Sequence, residues 1–563
     1  MQRGNQPLRV VIVGGVAGGA TAATRLRRLN EAASIVVFER GPHVSFANCG
    51  LPYYIGGVIA SQKSLLLATP QTFDARFNVK VKNLHEVVAI KRDPKVVVVR
   101  NLATAENSEE PYDRLILATG SVPIRPPAIK GINDVEGIFT VRSVVDSDII
   151  RDYITSKNVK SAVIVGCGFI GLEMAENLVH RGIQVEMIEM GPHIMPVFDS
   201  EIVTDAEANL SQKGVKVHFK HSVSGFSRDS ATRKIYVEID NGSSPAVPTE
   251  MVILAIGVRP DAGLAKEAGL AIGKLGGVTT NEFMQTSDPS IYAVGDSVET
   301  KDFVTGQATI VALANPANRQ ARVAADNIAN PGSSKYRGVQ GTSVCKVFDV
   351  VLASTGASER TLNRWNMPYE KVHLYPFNHV SYYPGASKIA LKVLFDPTTR
   401  KVLGAQASGT EGVDKRIDVI SMAIQGGMTV DDLAETELCY APQFGAAKDP
   451  VNLAGMIATN SLNGHAPIVR WSDVEQKQAS PQKTQVLDVR DHGELEDSGS
   501  LPGAINIPLN QLRARLGEID RARPVEVYCA VGQRGYYATR ILRENGFDAK
   551  NLTGGYTLLK HML

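Results

Sequence analysis

Two of the five cysteines stand where a thiol could do chemistry. Cys49 follows a predicted strand and precedes Gly50 and Pro52, which suit a turn into a helix. Cys529 opens the stretch Cys-Ala-Val-Gly-Gln-Arg, between an apolar strand and a predicted helix from Tyr536. Because helix N-termini stabilise anions, we expect a lowered pKa at Cys49 and a backbone cradle for a thiolate or persulfide at Cys529. A lone cysteine can also be a small buried hydrophobic residue, and the positions of these two favour the redox interpretation.

The rest of the composition narrows the class of protein. The cysteines are scattered and odd in number, which favours a reducing compartment. Cys345 and Cys439 are interpreted as structural, and Cys167 as a residue that only fills a turn. A formal charge of +2 does not indicate nucleic-acid binding. The apolar segment near the N-terminus is too short for a signal peptide or a membrane span. The sequence thus predicts a cytoplasmic, multidomain protein of 563 residues, without nucleic-acid or membrane partners and without a metal site.

A strand, a glycine-rich turn, a helix and a second strand follow one another twice in the chain. The predicted strands and helices are 10–13, 20–29 and 34–39 in the first unit and 161–165, 172–181 and 184–189 in the second. Such a unit places a glycine-rich turn at a helix N-terminus, where backbone N–H groups can bind pyrophosphate. Two units predict two dinucleotide sites.

The two glycine-rich turns differ in detail. The second has a complete G-x-G-x-x-G at 166–171, whereas the first has Val16 where the middle glycine usually lies. Glu39 and Glu189 end the second strand of each unit. A carboxylate at Glu189 can accept from ribose hydroxyls and would repel a 2′-phosphate, which favours NADH over NADPH. A glycine-rich turn can also serve only as a tight connection, but its repetition at this spacing favours nucleotide binding.

Three further segments, residues 112–120, 255–260 and 291–296, resemble the FAD-dependent pyridine nucleotide-disulfide oxidoreductases. The resemblance covers roughly residues 8–455 and implies FAD on the first unit and NADH or NADPH on the second. It assigns Asp296 to the flavin's ribityl chain, although an aspartate there could be only a turn residue. The cofactor-binding residues that it implies are Gly14, Gly15, Gly18, Gly19, Glu39, Arg40, Ala118, Thr119, Gly120, Asp296, Gly166, Gly168, Gly171, Glu189 and Gly257.

Typical members of that family carry two cysteines four residues apart, whereas Cys49 is alone in its segment. The segment Ser-Phe-Ala-Asn-Cys-Gly-Leu-Pro-Tyr, residues 45–53, resembles the coenzyme A-disulfide reductases and their NADH oxidase and peroxidase relatives. The resemblance implies a resting mixed disulfide between Cys49 and coenzyme A. An oxidase or peroxidase in which Cys49 cycles through sulfenic acid remains the alternative.

The same resemblance implies coenzyme A contacts at Arg25, Arg28, Ser45, Asn48 and Lys448. The two arginines lie near one face of the first helix and could meet phosphate charges, or could form only a solvated basic surface. Tyr382 and Tyr440 match a tyrosine pair that the partner subunit of a homodimer brings to the cysteine, where a phenol could donate a proton to a leaving thiolate. Either tyrosine could instead be a buried core residue.

The C-terminal residues 468–563 resemble a single rhodanese domain with a six-residue active-site loop at 529–534. Residues 487–490, 499–508 and 554–556 add to this resemblance. It implies that Cys529 carries sulfane sulfur and that Arg534 contacts substrate. Rhodanese-like domains can also be docking or sulfur-sensing modules, and the cysteine favours the active interpretation.

The predicted fold is α/β, with two Rossmann-like dinucleotide-binding domains, an α+β dimerisation domain and a C-terminal α/β rhodanese-like domain. The expected bounds are 1–117 with 256–324 for the FAD domain, 118–255 for the NAD(P)H domain, 325–457 for the dimerisation domain, 458–467 for a linker and 468–563 for the rhodanese-like domain. The implied function is reduction of coenzyme A disulfide, coenzyme A persulfide or polysulfide by NAD(P)H through FAD, with Cys529 relaying sulfur.

Overall fold

The computed structural model of the chain describes residues 7–478 and 484–562. The chain divides into two compact units, one of residues 1–194 with 211–341 and the other of residues 195–210 with 342–563. The first unit contains both parallel sheets that carry glycine-rich turns, and the second contains an antiparallel domain and a C-terminal α/β domain. The predicted α/β fold class is confirmed.

A five-stranded parallel sheet carries the first glycine-rich turn. In spatial order its strands are Ile291–Ala293, Arg114–Leu117, Arg9–Val13, Ser34–Glu39 and Lys80–Asn83. The run from Val10 to Val13 is buried along its whole length, as parallel strands usually are. The helices of this part are Ala17–Leu29, Leu51–Gly56, Pro70–Phe77, Gly263–Glu267 and Ala314–Ala329.

A second five-stranded parallel sheet carries the second glycine-rich turn. Its strands in spatial order are Lys216–Phe219, Gln184–Glu189, Ser161–Val165, Met251–Leu254 and Ile138–Phe139, with helices Val144–Ser156 and Phe169–His180. Smaller sheets complete the first unit: His85–Lys91, Val96–Asn101 and Asn107–Pro111; Val223–Arg228, Ile235–Ile239 and Val247–Thr249; Ser121–Pro123 and Val258–Pro260; and Val278–Thr279, Val298–Lys301 and Ala308–Thr309.

The second unit begins with a five-stranded antiparallel sheet. Its strands in spatial order are Ser343–Val347, Val350–Gly356, Val402–Gly409, Ala390–Phe395 and Glu370–Leu374. The helices beside it are Ser200–Gln212, Glu359–Arg364, Val413–Gly426, Val430–Glu435 and Pro450–Leu462. The last of these helices contains residues 458–462, so part of the predicted linker is helical.

A parallel sheet organises the C-terminal domain. Its strands in spatial order are Ile468–Val469, Ala549–Leu552, Val525–Tyr528, Gln485–Asp488 and Ile505–Asn506. Its helices are Trp471–Gln478, His492–Ser498, Gln533–Glu544 and Gly555–Met562. None of the helices in the described part of the chain combines the length and apolar character needed to cross a membrane.

Three helices begin earlier than the sequence patterns predict. Predicted starts at Ala20, Leu172 and Tyr536 become Ala17, Phe169 and Gln533 in the structure. In each case residues assigned to the preceding glycine-rich turn, or to the loop 529–534, already form the first helical turn. The N–H groups of that helical turn therefore lie directly at the end of the preceding strand, where a ligand would bind.

Candidate active site

The first glycine-rich turn has a backbone that only glycine tolerates. Gly14 has φ of +95°, and a Cβ there would lie 2.3 Å from the carbonyl oxygen of Ala118. A Cβ on Gly19 would lie 1.8 Å from the carbonyl oxygen of Gly14. Among the described residues, no side chain caps the helix Ala17–Leu29, so its first N–H groups are available to a phosphate. This turn fits the pyrophosphate of a dinucleotide.

The second turn repeats this construction. Gly166 has φ of +100°, and a Cβ on Gly171 would lie 2.1 Å from the carbonyl oxygen of Gly166. Gly168 ends the turn with open space around its missing Cβ, and no described side chain caps the helix that starts at Phe169. Close approach of a ligand to the backbone is therefore unobstructed, and this turn fits a second dinucleotide.

Glu39 and Glu189 hold the two turns in the same way. Glu39 Oε2 accepts from Gly15 N at 2.8 Å and Oε1 from Gly41 N at 2.8 Å. Glu189 Oε2 accepts from Cys167 N at 2.8 Å and Oε1 from Gly191 N at 2.7 Å. These bonds place each carboxylate at the turn, where its remaining lone pairs can accept from ribose hydroxyls.

The other residues predicted to bind cofactor all lie in the first unit. Asp296 Oδ2 accepts from Ser121 Oγ at 2.9 Å. Thr119 Oγ1 donates to the carbonyl oxygen of Asp261 at 2.6 Å, and Arg40 pairs with the Asp261 carboxylate at 3.2 Å. The glycines in this set are Gly15 and Gly18, which face Val44 and Val294, and Gly120 and Gly257, which have φ of +73° and +108°.

The segment that contains Cys49 is attached to the first glycine-rich turn. Ser45, with φ of 49°, donates its N–H to the carbonyl oxygen of Gly15 at 2.9 Å. Asn48 begins a short 3₁₀ turn, Asn48–Gly50, which leads into the six-residue helix Leu51–Gly56. The Cys49 residue is exposed and free. A solvent-accessible thiol is thus fixed beside the turn that fits a dinucleotide.

The predicted lowering of the Cys49 pKa is wrong for this structure. The pKa of Cys49 is raised, first because protein atoms partly desolvate the thiol and then because of the charges of Glu173 and Asp296. These carboxylates come from distant parts of the sequence and outweigh the local backbone hydrogen bond, which acts in the opposite direction.

Glu173 is a site residue that sequence reasoning missed. It lies on the helix Phe169–His180, between the buried residues Leu172 and Met174, and accepts from Tyr53 Oη at 3.4 Å. Burial raises the pKa of Glu173 to about 7, against a smaller lowering by the Tyr53 hydrogen bond. An acidic residue between two apolar ones, directly after the G-x-G-x-x-G turn, was the available signal.

The residues predicted to hold coenzyme A fall into both units. Arg25 and Arg28 lie on the helix Ala17–Leu29, where Arg25 Nε pairs with Asp326 Oδ1 at 2.7 Å and Arg28 is exposed. Ser45 and Asn48 flank Cys49 in the same unit, whereas Lys448 is exposed in the second unit. The arginine pairing leaves Arg28 as the more accessible cation of the two.

Tyr382 and Tyr440 form a pair on the surface of the second unit. Their hydroxyl oxygens lie 3.2 Å apart, and the residues are 74% and 47% exposed. The hydrogen bond to Tyr382 raises the pKa of Tyr440. Burial of either tyrosine in a core, the alternative raised by the sequence, is therefore wrong.

Cys529 lies in a closed backbone cradle. Its residue is only 1% exposed, and Gly532 donates its N–H to Sγ at 3.2 Å. Tyr556 donates its N–H to the carbonyl oxygen of Cys529 at 2.8 Å, which holds the loop from the other side. Gly532 has φ of +96° and leads directly into the helix Gln533–Glu544. Such a cradle suits a sulfur that carries negative charge.

Arg534, predicted to contact substrate, is bound by Glu494 through two hydrogen bonds of 2.6 Å each. Glu494 is a second residue that the sequence reasoning missed. Its only signal was the spacing Asp491-x-x-Glu494, which forms a capping box at the start of the helix His492–Ser498.

Comparison with known proteins agrees with this geometry. Residues 8–321 match the model of the pyridine nucleotide-disulphide oxidoreductase family, residues 342–449 match the dimerisation domain of that family, and residues 471–561 match the rhodanese-like domain. The chain is 35% identical over 447 residues to the coenzyme A disulfide reductase of Staphylococcus epidermidis, covering 79% of this chain and 99% of that protein.

Two solved structures extend the similarity over nearly the whole chain. Reduced Bacillus anthracis CoADR-RHD is 44% identical with a TM-score of 0.95, covering 99% of this chain and 98% of that one. An NAD-dependent persulfide reductase from A. fulgidus is 37% identical with a TM-score of 0.88, covering 98% of this chain and 100% of that one. The chain therefore belongs to the pyridine nucleotide-disulphide oxidoreductase family, as an FAD- and NAD(P)H-dependent reductase of the coenzyme A disulfide reductase type with a C-terminal rhodanese-like domain.

Proposed function

We propose that this reductase uses NADH to reduce coenzyme A disulfide, coenzyme A persulfide or polysulfide, with Cys49 cycling through a mixed disulfide with coenzyme A. The observation that carries the proposal is the position of Cys49, an exposed single thiol on a segment hydrogen-bonded to the first glycine-rich turn. The names of the relatives from S. epidermidis and A. fulgidus support the same substrate class.

The reaction at Cys49 needs only one thiol of the protein, because the second sulfur of the disulfide comes from coenzyme A. The Cys49 thiolate attacks the coenzyme A sulfur of the persulfide, the sulfur–sulfur bond breaks, and hydrosulfide leaves as Cys49–S–S–CoA forms. With coenzyme A disulfide the leaving group is coenzyme A thiolate. FAD, when bound at the first turn, supplies two electrons from NADH; with one proton they return the Cys49 thiolate and release coenzyme A thiol.

The surface residues of the two units supply binding and proton transfer in this proposal. Arg28, with Arg25, Ser45 and Asn48 of the first unit, would hold coenzyme A, whose phosphates need cations. The tyrosine pair of the partner subunit in a homodimer would donate a proton to the leaving sulfur. The raised pKa of Tyr440 keeps its phenol protonated and able to donate at neutral pH.

Cys529 relays sulfur in the same cycle. Its thiolate takes the outer sulfur of a donor persulfide, which releases the donor thiolate and leaves a persulfide on Cys529. Coenzyme A thiolate then attacks that outer sulfur, which forms coenzyme A persulfide and restores the Cys529 thiolate. The N–H group of Gly532, which already points at Sγ, would stabilise both anions.

We further propose NADH as the preferred nicotinamide cofactor and the cytoplasm as the working compartment. Glu189 would repel a 2′-phosphate from the ribose site. The five cysteines all lie within the described residues and form no disulfide there, as expected where thiols are kept reduced.

The test is anaerobic oxidation of NADH by the FAD-loaded protein with coenzyme A persulfide or coenzyme A disulfide as the acceptor. We expect turnover with both acceptors and loss of both activities in a Cys49→Ser variant that retains FAD, and the ratio of the two kcat/KM values identifies the preferred acceptor. Sustained turnover with oxygen or peroxide, and none with either coenzyme A substrate, would contradict the proposal and favour the sulfenic acid alternative.

A further inference from the structure

The loop from Cys529 to Arg534 has one cationic side chain, and that side chain is already ion-paired. Arg534 Nη1 and Nη2 lie 2.6 Å from Oε2 and Oε1 of Glu494. Asp491 Oδ2 lies 3.5 Å from Nη1. Two-point pairing between a guanidinium and a carboxylate is strong and geometrically specific. Arg534 therefore faces two carboxylates before any substrate arrives.

Glu494 is held in this position by its own helix as well as by Arg534. Its Oε2 also accepts from Asp491 N at 3.0 Å, in the capping box of the helix His492–Ser498. The hydrogen bonds from Arg534 lower the pKa of Glu494, so its carboxylate is charged at neutral pH. The negative charge is thus a fixed part of the loop's surroundings.

Arg534 is close enough to Cys529 for its charge to act on the sulfur. The hydrogen bonds to Glu494 raise the pKa of Arg534 most strongly, and the charge of Cys529 raises it further. By neutralising Arg534, Glu494 reduces the attraction that an incoming anion would feel at the sulfur.

Of the two neighbouring cations, Arg490 does not replace Arg534. Arg490 is 1% exposed, its Nη2 lies 2.6 Å from Asp488 Oδ2, and its guanidinium covers the ring of Tyr556. Lys560 lies at the surface, 5.6 Å from the centre of the same ring. A dianionic sulfur donor such as thiosulfate needs unpaired positive charge at the loop, whereas a thiol persulfide carries at most one charge on its sulfur.

We propose that Glu494 is a specificity-determining residue that makes Cys529 take sulfur from thiol persulfides and exclude dianionic donors such as thiosulfate. The inference rests on the proposed role of Cys529 as a sulfur carrier. The reaction is that of the relay: the Cys529 thiolate attacks the outer sulfur, the donor's sulfur–sulfur bond breaks, and the donor thiolate leaves with the electron pair. Glu494 acts on the approach of the donor and takes no part in the bond changes.

The test uses the full-length, FAD-loaded protein with Cys49→Ser, which silences the reductase site. Sulfur transfer to cyanide is measured as thiocyanate, with thiosulfate or the persulfide of 2-mercaptoethanol as the donor. We expect the persulfide to be preferred, and Glu494→Gln to raise kcat/KM for thiosulfate about tenfold while the value for the persulfide changes by less than about twofold. Glu496→Gln is the matched control, because Glu496 is exposed on the same helix and is not a partner of Arg534.

Two further measurements separate selectivity from a general disturbance of the loop. Glu494→Asp keeps the charge and should keep the preference for the persulfide. Added salt should raise the thiosulfate rate of the parent protein more than that of Glu494→Gln, because it screens the repulsion. Equal use of both donors by the parent, or equal effects of Glu494→Gln and Glu496→Gln, would overturn the inference. Failure of every donor to load Cys529 would instead overturn the relay, and this inference with it.

Discussion

Cys49 and Cys529 are both single thiols that follow a parallel sheet strand, but their surroundings differ. Cys49 is exposed, and the charges of Glu173 and Asp296 contribute to its raised pKa. Cys529 is 1% exposed, and a backbone N–H donates to its sulfur. An exposed thiol can form a disulfide with a molecule as large as coenzyme A, whereas a buried thiol in a cradle can accept only a small group.

This difference indicates a division of work between the two sites. The raised pKa of Cys49 means that a smaller fraction of this thiol is ionised than in an unperturbed cysteine, and its catalytic cycle also needs electrons from the nucleotide sites. The cradle at Cys529 is complete in the protein itself and needs no cofactor. We therefore expect Cys529 to accept sulfur without FAD or NADH, whereas repeated turnover at Cys49 requires both.

The largest expected effects come from removing each cysteine in turn. Cys49→Ser should lower NADH-dependent reduction of coenzyme A disulfide by roughly a thousandfold or more, because it removes the nucleophile. Cys529→Ala should leave that reaction unchanged and abolish sulfur transfer to cyanide. The flavin spectrum of both variants serves as the folding control. Loss of coenzyme A disulfide reduction in Cys529→Ala would mean that the two sites do not work separately.

A buried charge cluster supports the Cys529 site from the antiparallel domain. Lys392 is 0% exposed, and its ammonium pairs with Asp199, Glu201 and Glu359. His373, bonded to Glu201, donates its backbone N–H to Thr553 Oγ1 at 2.8 Å. Thr553 precedes the two glycines that lead to Tyr556, whose N–H holds the Cys529 loop. The cluster is thus connected to the cradle through a few hydrogen bonds.

Lys392→Met should destabilise the second unit by about 3–5 kcal/mol, because it removes the buried cation that three partly buried carboxylates share. Burial alone would raise the pKa of Glu359, but Lys392 and Lys371 outweigh it and lower that pKa to about 2. The stability that the ionised Glu359 gains from these lysines is fully present above the pKa of a glutamate in the unfolded chain, about 4.3. It is lost as the pH falls through the folded-state pKa of about 2. Chemical denaturation at neutral and acidic pH measures this contribution, with Lys388→Met, at an exposed lysine just before the same strand, as the control. A deficit that does not shrink in acid would contradict the charge explanation.

The sequence was sufficient for the fold class and for both glycine-rich turns, because each depends on local patterns of apolar residues and glycines. It failed where partners come from far along the chain. One of the two carboxylates that act on Cys49 belongs to Glu173, whose partner Tyr53 is 120 positions away, and Arg534 is bound by Glu494 at a separation of 40. A buried lysine such as Lys392 leaves no local pattern at all. The electrostatics of both cysteines therefore required the structure.

The smallest expected effect is at Glu173, and it sharpens the contrast between the two thiols. Glu173→Gln removes a negative charge that raises the pKa of Cys49, so more of that thiol should be ionised in the variant. Because the pKa of Glu173 is about 7, the charge is present mainly above that pH, and the difference from the parent should grow as the pH rises through it.

Alkylation of substrate-free, reduced protein by iodoacetamide, followed by mass analysis of each cysteine, measures both sites at once. In Glu173→Gln we expect faster alkylation at Cys49 and an unchanged alkylation rate at Cys529. Glu176→Gln, on the same helix, is the control variant. It should have a smaller effect on Cys49, because the charge of Glu176 acts on Glu173 rather than on the thiol directly. An acceleration that is the same at pH values well below and well above 7 would show that Glu173 does not control Cys49 through its charge.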